Sequence, residues 1–197
     1  MPIPSHNFGA VLFLSELGLE CHLFNRSIAK LERAAEHWRN LENHIDDSES
    51  AAPLEIVADC TVCLSSLAAI RRVLRPAPSA LPRAKRRAET LLRLLNGPAL
   101  AQVTSVVVRN SWEHLDERLD DWLGSRQPGT GSVSEIHVSV QTPEQSTMVL
   151  RRFDPVGFAI HFSDAYVPLR PCQNEITDLE QRIKQAYVRL ETEKVDV

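Results

Sequence analysis

A long amphipathic stripe in the first quarter of the chain is the strongest constraint on its fold. Between residues 24 and 45, apolar side chains recur at steps of four and three, which is the period of one face of an α-helix. These residues are Phe24, Ile28, Leu31, Ala35, Trp38, Leu41 and Ile45. The stripe predicts a helix that begins near Phe8, ends before the acidic segment 46–50, and buries one face against other helices.

Three more helices are predicted to follow, over about 53–74, 82–95 and 98–123. Three prolines mark a stiff connector between the second and third helices, at Pro76, Pro78 and Pro82. The third helix is expected to end at Asn96-Gly97-Pro98, because glycine adopts a left-handed conformation easily and proline cannot continue the preceding helix. Four such helices bury their apolar stripes most directly as a four-helix bundle.

Beyond Gly124 the apolar period changes from that of a helix to that of a strand. Alternation predicts strands over about 135–140, 147–153 and 156–162, with an edge strand over 166–169. A small antiparallel meander is the simplest arrangement of these strands. From about Asn174 the apolar residues return to the helical period, which predicts a C-terminal helix. We therefore predict an α+β, mainly α fold, with a helical bundle over 1–125 and a sheet plus C-terminal helix over 126–197 that packs on the bundle.

The overall composition is that of a globular protein, and its net charge argues against a whole surface adapted to bind polyanions. The chain has 197 residues, 43% hydrophobic, and a formal net charge of -4, which leaves room for a local basic patch. We see no signal peptide and no membrane span, so a cytoplasmic location is expected. The Cys60-x-x-Cys63 pair lacks a second pair to complete a zinc site and is interpreted as buried thiols. No metal or other cofactor is expected.

The predicted helix over 98–123 contains the most informative segment for function. Its apolar stripe is formed by Val108, Trp112, Leu115, Leu119 and Trp122. Arg109 and His114 lie about 140° apart on the opposite side, with Asn110 and Glu113 between them. One short cleft could therefore receive both side chains.

The sequence Arg109-Asn110-x-x-x-His114 resembles the signature of HEPN domains. The resemblance covers the first 125 residues or so, and implies a dimeric four-helix bundle with Arg109, Asn110 and His114 in its active site. Many members are metal-independent ribonucleases in toxins, phage defence and RNA processing. Arg39 and His44 repeat the spacing at the end of the first helix, where they are interpreted as a chance match in contact with solvent.

Two alternatives remain for these polar residues. Arg109 and Glu113 can form an ordinary i,i+4 ion pair on a solvated helix face, worth about 0.2–0.5 kcal/mol. The chain can also be a non-catalytic HEPN-like helical module that binds a ligand or a partner protein. For a ribonuclease of the toxin type, an antitoxin or inhibitor would be a further partner.

A cluster of cations surrounds the proline connector, and we call it the basic ridge. It comprises Arg71, Arg72, Arg75, Arg83, Lys85, Arg86, Arg87 and Arg93. Phosphate contacts from Arg83, Arg86 and Arg87 are the predicted means of holding RNA. The alternative is a solvated ridge balanced by the acidic stretch Asp116, Glu117, Asp120 and Asp121.

A homodimer is expected, because the predicted fourth helix is apolar on all sides between Val103 and Val108 and a monomer would expose this patch. Light scattering at tens of micromolar should give twice the chain mass of 22.1 kDa. A monomeric mass at that concentration, or a two-fold interface that omits this helix, would contradict the expectation.

Overall fold

The computed structural model describes residues 7–42, 54–105, 120, 124, 132–138, 147–162 and 165–191. Within these ranges, the helices with described bounds span Phe8–Glu42 (α1), Leu54–Leu74 (α2), Pro82–Leu94 (α3) and Leu169–Leu190 (α4). The strands of the same described residues span Ser132–Val138 (β1), Thr147–Asp154 (β2), Ala159–Phe162 (β3) and Ala165–Pro168 (β4). The predicted α+β, mainly α fold class, with a small sheet and a C-terminal helix, is confirmed.

The first three predicted helices agree with α1, α2 and α3 to within a few residues, but two other predicted starts were wrong. Residues 97–100 have no regular structure and 101–104 form a turn, so no helix begins at Pro98. The C-terminal helix begins at Leu169 and not near Asn174. Pro171 lies in its first turn, where the missing backbone N–H costs no helical hydrogen bond.

The chain divides into two compact units, and neither is continuous in sequence. Unit 1 comprises residues 1–26, 65–104 and 171–197, and unit 2 comprises residues 27–64 and 105–170. The predicted boundary between residues 125 and 126 lies outside the described residues. Nearly all of α4 belongs to unit 1.

Unit 1 is helical, and each of its four helical segments contributes buried apolar side chains to it. The first part of α1 and the end of α2 supply residues such as Leu17 and Ile70, and α3 supplies Leu91. The stripe of α4 is regular, with steps of three and four along its whole length. Its buried members are Leu169, Cys172, Ile176, Leu179, Ile183, Ala186 and Leu190, the first of which falls in unit 2.

Helix α3 ends in a Schellman motif. Asn96 and Gly97 both have positive φ, 54° and 58°. The N–H of Gly97 donates to the carbonyl of Leu92 at 2.8 Å, and that of Asn96 to the carbonyl of Arg93 at 3.0 Å. The terminator predicted from the sequence is confirmed.

Three side chains of α4, spaced by seven residues, bind the backbone at the end of α3 and immediately after it. Arg189 binds the carbonyl of Leu94, and Arg182 binds the carbonyls of Leu95 at 3.2 Å and Asn96 at 3.0 Å. The positive charges of these arginines also interact favourably with the negative, C-terminal end of the α3 dipole. The carboxylate of Glu175 accepts the N–H groups of Gln102 at 3.0 Å and Val103 at 2.9 Å. This one face of α4 therefore fixes the segment 94–103.

Unit 2 contains the sheet, in the order β1-β2-β3-β4. The predicted antiparallel meander is confirmed for β2, β3 and β4, but β1 pairs with β2 in parallel, with Ser132 opposite Thr147 and Val138 opposite Phe153. The antiparallel prediction for the first strand was therefore wrong. Alternation along a strand is the same in both orientations, so the sequence pattern could not distinguish them.

The third predicted strand begins at Ala159 and not at residue 156, because residues 155–158 form a turn. The Asp154 carboxylate accepts the N–H groups of Val156 at 2.9 Å and Gly157 at 2.8 Å. A Cβ atom at residue 157 would lie 2.6 Å from Asp154 Oδ2, so a larger residue there would displace the Asp154 carboxylate. Phe158 follows with a φ of 47°.

Loss of the Glu175 carboxylate should destabilise the protein, because three backbone contacts with a charged acceptor are lost or weakened. We expect Glu175→Gln to lower the free energy of unfolding by about 2 kcal/mol, since a hydrogen bond to a charged group contributes roughly 1.5–3 kcal/mol. Urea denaturation followed by circular dichroism measures this change. Glu89→Gln, at an exposed position of α3, is the matched control and should have an effect within about 0.5 kcal/mol.

Candidate functional site

The predicted catalytic residues Arg109, Asn110 and His114 lie outside the described residues. Of the second, repeated motif, Arg39 is described and His44 is not. Arg39 is exposed three residues before the end of α1, and its Nε donates to the carbonyl of Ala35 at 3.2 Å. The expectation that Arg39 lies where the helix meets solvent is confirmed.

Some members of the basic ridge bind the protein itself. Arg71 Nε donates to the carbonyl of Thr104 at 3.1 Å, and Lys85 Nζ to the carbonyl of Pro78 at 2.5 Å. The Arg87 guanidinium lies 4.5 Å from the centre of the Phe13 ring, a cation–π contact with a half-buried side chain. Its Nε is buried and has no hydrogen-bond partner among the described residues. Arg87 is thus partly buried against Phe13, whereas the other two predicted RNA contacts, Arg83 and Arg86, are exposed.

The remaining cations of the ridge are open to solvent. Arg72, Arg75, Arg83 and Arg86 are exposed, and no carboxylate of a described residue forms an ion pair with them. Of the acidic residues predicted to balance the ridge, Asp120 is exposed, and the other three lie outside the described residues. Exposed arginines can contact phosphates without first breaking an internal ion pair.

The sheet carries a second polar surface that the sequence analysis did not predict. Arg152 lies opposite His161, and His161 lies opposite Tyr166, so these residues form one row across β2, β3 and β4 that we call the sheet row. The adjacent row of Phe153, Ile160 and Val167 is buried, with each residue 1% exposed. Because successive residues point to opposite faces of a sheet, the sheet row lies on the other, more accessible face.

His161 is the centre of the sheet row. Its ring stacks on that of Tyr166, with centroids 5.6 Å apart and planes inclined by 26°. Its Nε2 lies 3.7 Å from Asp154 Oδ2, beyond hydrogen-bond distance, and is buried with no hydrogen-bond partner among the described residues. Burial lowers the pKa of His161, the positive charge of Arg152 lowers it further, and Asp154 opposes the shift.

On the sequence alone, His161 is interpreted as an isolated surface or satisfied histidine on a strand. Alternation indicated that it lies on a strand, but the register that places it between Arg152 and Tyr166 depends on strand pairing. An arginine, a histidine and a tyrosine on three successive predicted strands were the available signal. This signal becomes specific only when the pairing is known.

The cysteines behave as buried hydrophobic residues. All four are buried inside the protein, which confirms the interpretation of Cys60 and Cys63 as buried residues. Burial is the main cause that raises the pKa of Cys21 and of Cys172 to about 12, so neither thiol ionises near neutral pH. Within the described ranges, no group of three or more His, Cys, Asp or Glu side chains is arranged to hold a metal ion.

Comparison with known proteins gives no relative for this chain. No protein-family model, no curated protein and no solved structure matches it. Among the helices that the structure describes, none has the length and apolar character needed to cross a membrane.

The exposed arginines of α3 should determine the salt dependence of any RNA binding. Replacing Arg83 and Arg86 together with alanine should flatten the plot of log affinity against log salt by about 1.4, since each phosphate contact with a single strand contributes about 0.7. Filter binding over a salt series measures this slope. Arg26→Ala, at an exposed position of α1 in the same unit, is the control, and an unchanged slope in the double variant would show a solvated ridge.

Proposed function

We propose that this protein is a cytoplasmic, metal-independent endoribonuclease of HEPN type. The observation that carries the proposal is the sequence Arg109-Asn110-x-x-x-His114 on one polar side of an amphipathic pattern. The exposed arginines of the basic ridge support it, because an RNA-binding protein needs cations that are free to meet phosphates. Toxin, defence and RNA-processing roles all fit this chemistry.

In this reaction His114 transfers the protons. It accepts the proton of a ribose 2'-hydroxyl as the oxygen attacks the adjacent phosphorus, and returns that proton to the 5'-oxygen of the next nucleotide as the bond from phosphorus to this oxygen breaks. The products are a 2',3'-cyclic phosphate and a free 5'-hydroxyl, so DNA cannot be a substrate. Arg109 stabilises the negative charge on the phosphoryl oxygens through its planar donors, and Asn110 orients one of the reacting groups.

We also propose that the active form is a homodimer in contact near the motif. The support is the apolar stretch from Val103 to Val108, immediately before Arg109. Val103 is completely buried within the chain itself, so the contribution to a dimer would come from the residues that follow it.

The second candidate function is a non-catalytic module that binds a partner protein. A stripe of exposed large apolar side chains on α1 favours it: Phe8 is 63% exposed, Leu12 54% and Leu19 51%. These residues lie within about 40° of one another around the helix axis. Singly exposed apolar residues are ordinary, but an aligned set on one helix face is typical of a protein contact.

Cleavage of RNA should persist in EDTA and should be lost in both Arg109→Ala and His114→Ala. Loss of the proton-transferring group should slow the chemical step by about 10²–10⁴-fold. The measurement is the single-turnover rate on a mixed RNA pool that includes tRNA, with detection of 2',3'-cyclic phosphate ends. Arg39→Ala and His44→Ala are the matched controls, since they alter the repeated motif, and both should cleave at the parental rate.

Equal cleavage by the parent protein and His114→Ala would identify a contaminant or another site, and would exclude His114 as the catalytic residue. Circular dichroism and the dimer mass of each variant must match those of the parent. If the parent cleaves none of these RNAs and the α1 stripe captures a defined partner, the non-catalytic module is the better description.

A further inference from the structure

The sheet row combines an accessible aromatic ring with a nearby positive charge. Tyr166 is 57% exposed although it lies within a strand, and one neighbour of its ring is the imidazole of His161. The charge of Arg152 is close enough to influence His161, which lies between the two residues in the register. The ring of Tyr166 is therefore held by stacking while much of it remains in contact with solvent.

The position of the row in the sheet leaves it accessible from one side. Strand β4 pairs only with β3 in the described sheet, so Tyr166 is on an edge strand. The buried residues Phe153, Ile160 and Val167 support the row from the opposite face. Phe158 adds to this support: its ring meets that of Phe153 at 5.9 Å and 75°, and Arg170 lies 4.8 Å from its centre. The result is an exposed ring on a sheet whose opposite face is packed with apolar side chains.

We propose that the sheet row binds a nucleotide of single-stranded RNA, with its base stacked on Tyr166 and its phosphate in contact with Arg152. His161 is a positioning residue that fixes the tyrosine ring. The identification of the ligand as RNA rests on the proposed ribonuclease function. An aromatic side chain on a sheet face together with a nearby cation is a general solution for holding an unpaired base and its backbone.

A single strand fits this surface better than a duplex. Bases in a duplex are stacked on one another, so their faces are not available to Tyr166. The sheet row has one exposed aromatic residue, and stacking on any of the four bases is energetically similar. The surface should therefore bind RNA with little sequence preference, and should add to the phosphate contacts of the ridge rather than replace them.

The test uses the full-length protein and a short fluorescein-labelled 2'-O-methyl oligouridine, followed by fluorescence anisotropy. This probe has no free 2'-hydroxyl and cannot be cleaved by the proposed reaction. Tyr166→Ala should weaken binding by about 5-fold to 100-fold, from the effect of removing one stacking partner. Tyr166→Phe keeps the ring and should bind within about two-fold of the parent.

Arg152→Gln should weaken binding and lower the salt slope by about 0.7, the contribution of one phosphate contact. Arg33→Gln removes the same charge from an exposed position of α1 in the same unit, and should change neither quantity. The thermal unfolding midpoint of each variant should match that of the parent. If Arg152→Gln is unstable, the comparison of Tyr166→Ala with Tyr166→Phe decides the matter, because both alter an exposed side chain.

Equal affinity of the parent and Tyr166→Ala would overturn the proposal and would leave Tyr166 as a candidate protein contact. Equal losses in the Ala and Phe variants would also overturn it, because the hydroxyl and not the ring would then be required. The proposed ribonuclease function fails separately. If His114→Ala does not alter cleavage while Tyr166→Ala weakens binding, the sheet row stands and the catalytic assignment falls.

Discussion

Three polar side chains on one face of α4 determine how unit 1 is assembled. Glu175, Arg182 and Arg189 are spaced by seven residues and bind backbone groups between residues 94 and 103. The end of a helix exposes carbonyl groups and the start of a turn exposes N–H groups, and each is costly to bury without a partner. The side chains that bind these carbonyl and N–H groups all belong to α4. They therefore fix the end of α3 and the following turn to the C-terminal part of the chain. The apolar stripe of α4, which includes Leu179 and Ile183, supplies burial beside these bonds.

Unit 2 depends on a different set of contacts, around the turn between β2 and β3. Its sheet places the apolar row of Phe153, Ile160 and Val167 beside the sheet row. Phe158, in the turn between β2 and β3, has a positive φ that a phenylalanine seldom adopts. Contacts of the Phe158 carbonyl and of the Phe158 ring offset this strain. The Phe158 carbonyl accepts the N–H of Leu169 at 3.0 Å, and Arg170 lies over the ring while it pairs with Glu32 at 3.1 Å. The first residues of α4 therefore stabilise the turn that positions the sheet row.

The two candidate RNA surfaces differ in the physical basis of binding. Arg83 and Arg86 in unit 1 offer exposed positive charge, which attracts any polyanion and weakens with salt. Tyr166 in unit 2 offers a ring for stacking, which requires an unpaired base and depends less on salt. Arg87 shows why a run of basic residues is not uniform, since its guanidinium is used against Phe13. Each surface can therefore be changed without altering the other.

The sequence by itself determined the local structure: α1, α2 and α3 from the spacing of apolar residues, the end of α3 from Asn96-Gly97, and the approximate positions of the strands from alternation. Of the candidate site, it supplied the motif of Arg109 and His114 and the exposed arginines of α3. It misplaced a helix start at Pro98, because apolar content there does not reveal that the N–H groups of Gln102 and Val103 are bound by Glu175, more than seventy residues later. Only the tertiary structure decided the parallel pairing of β1, the two interleaved units and the row of Arg152, His161 and Tyr166. The period of the apolar residues indicates which side of a helix or strand is buried. The strand pairing, the division into units and the sheet row depend instead on which distant element covers that side.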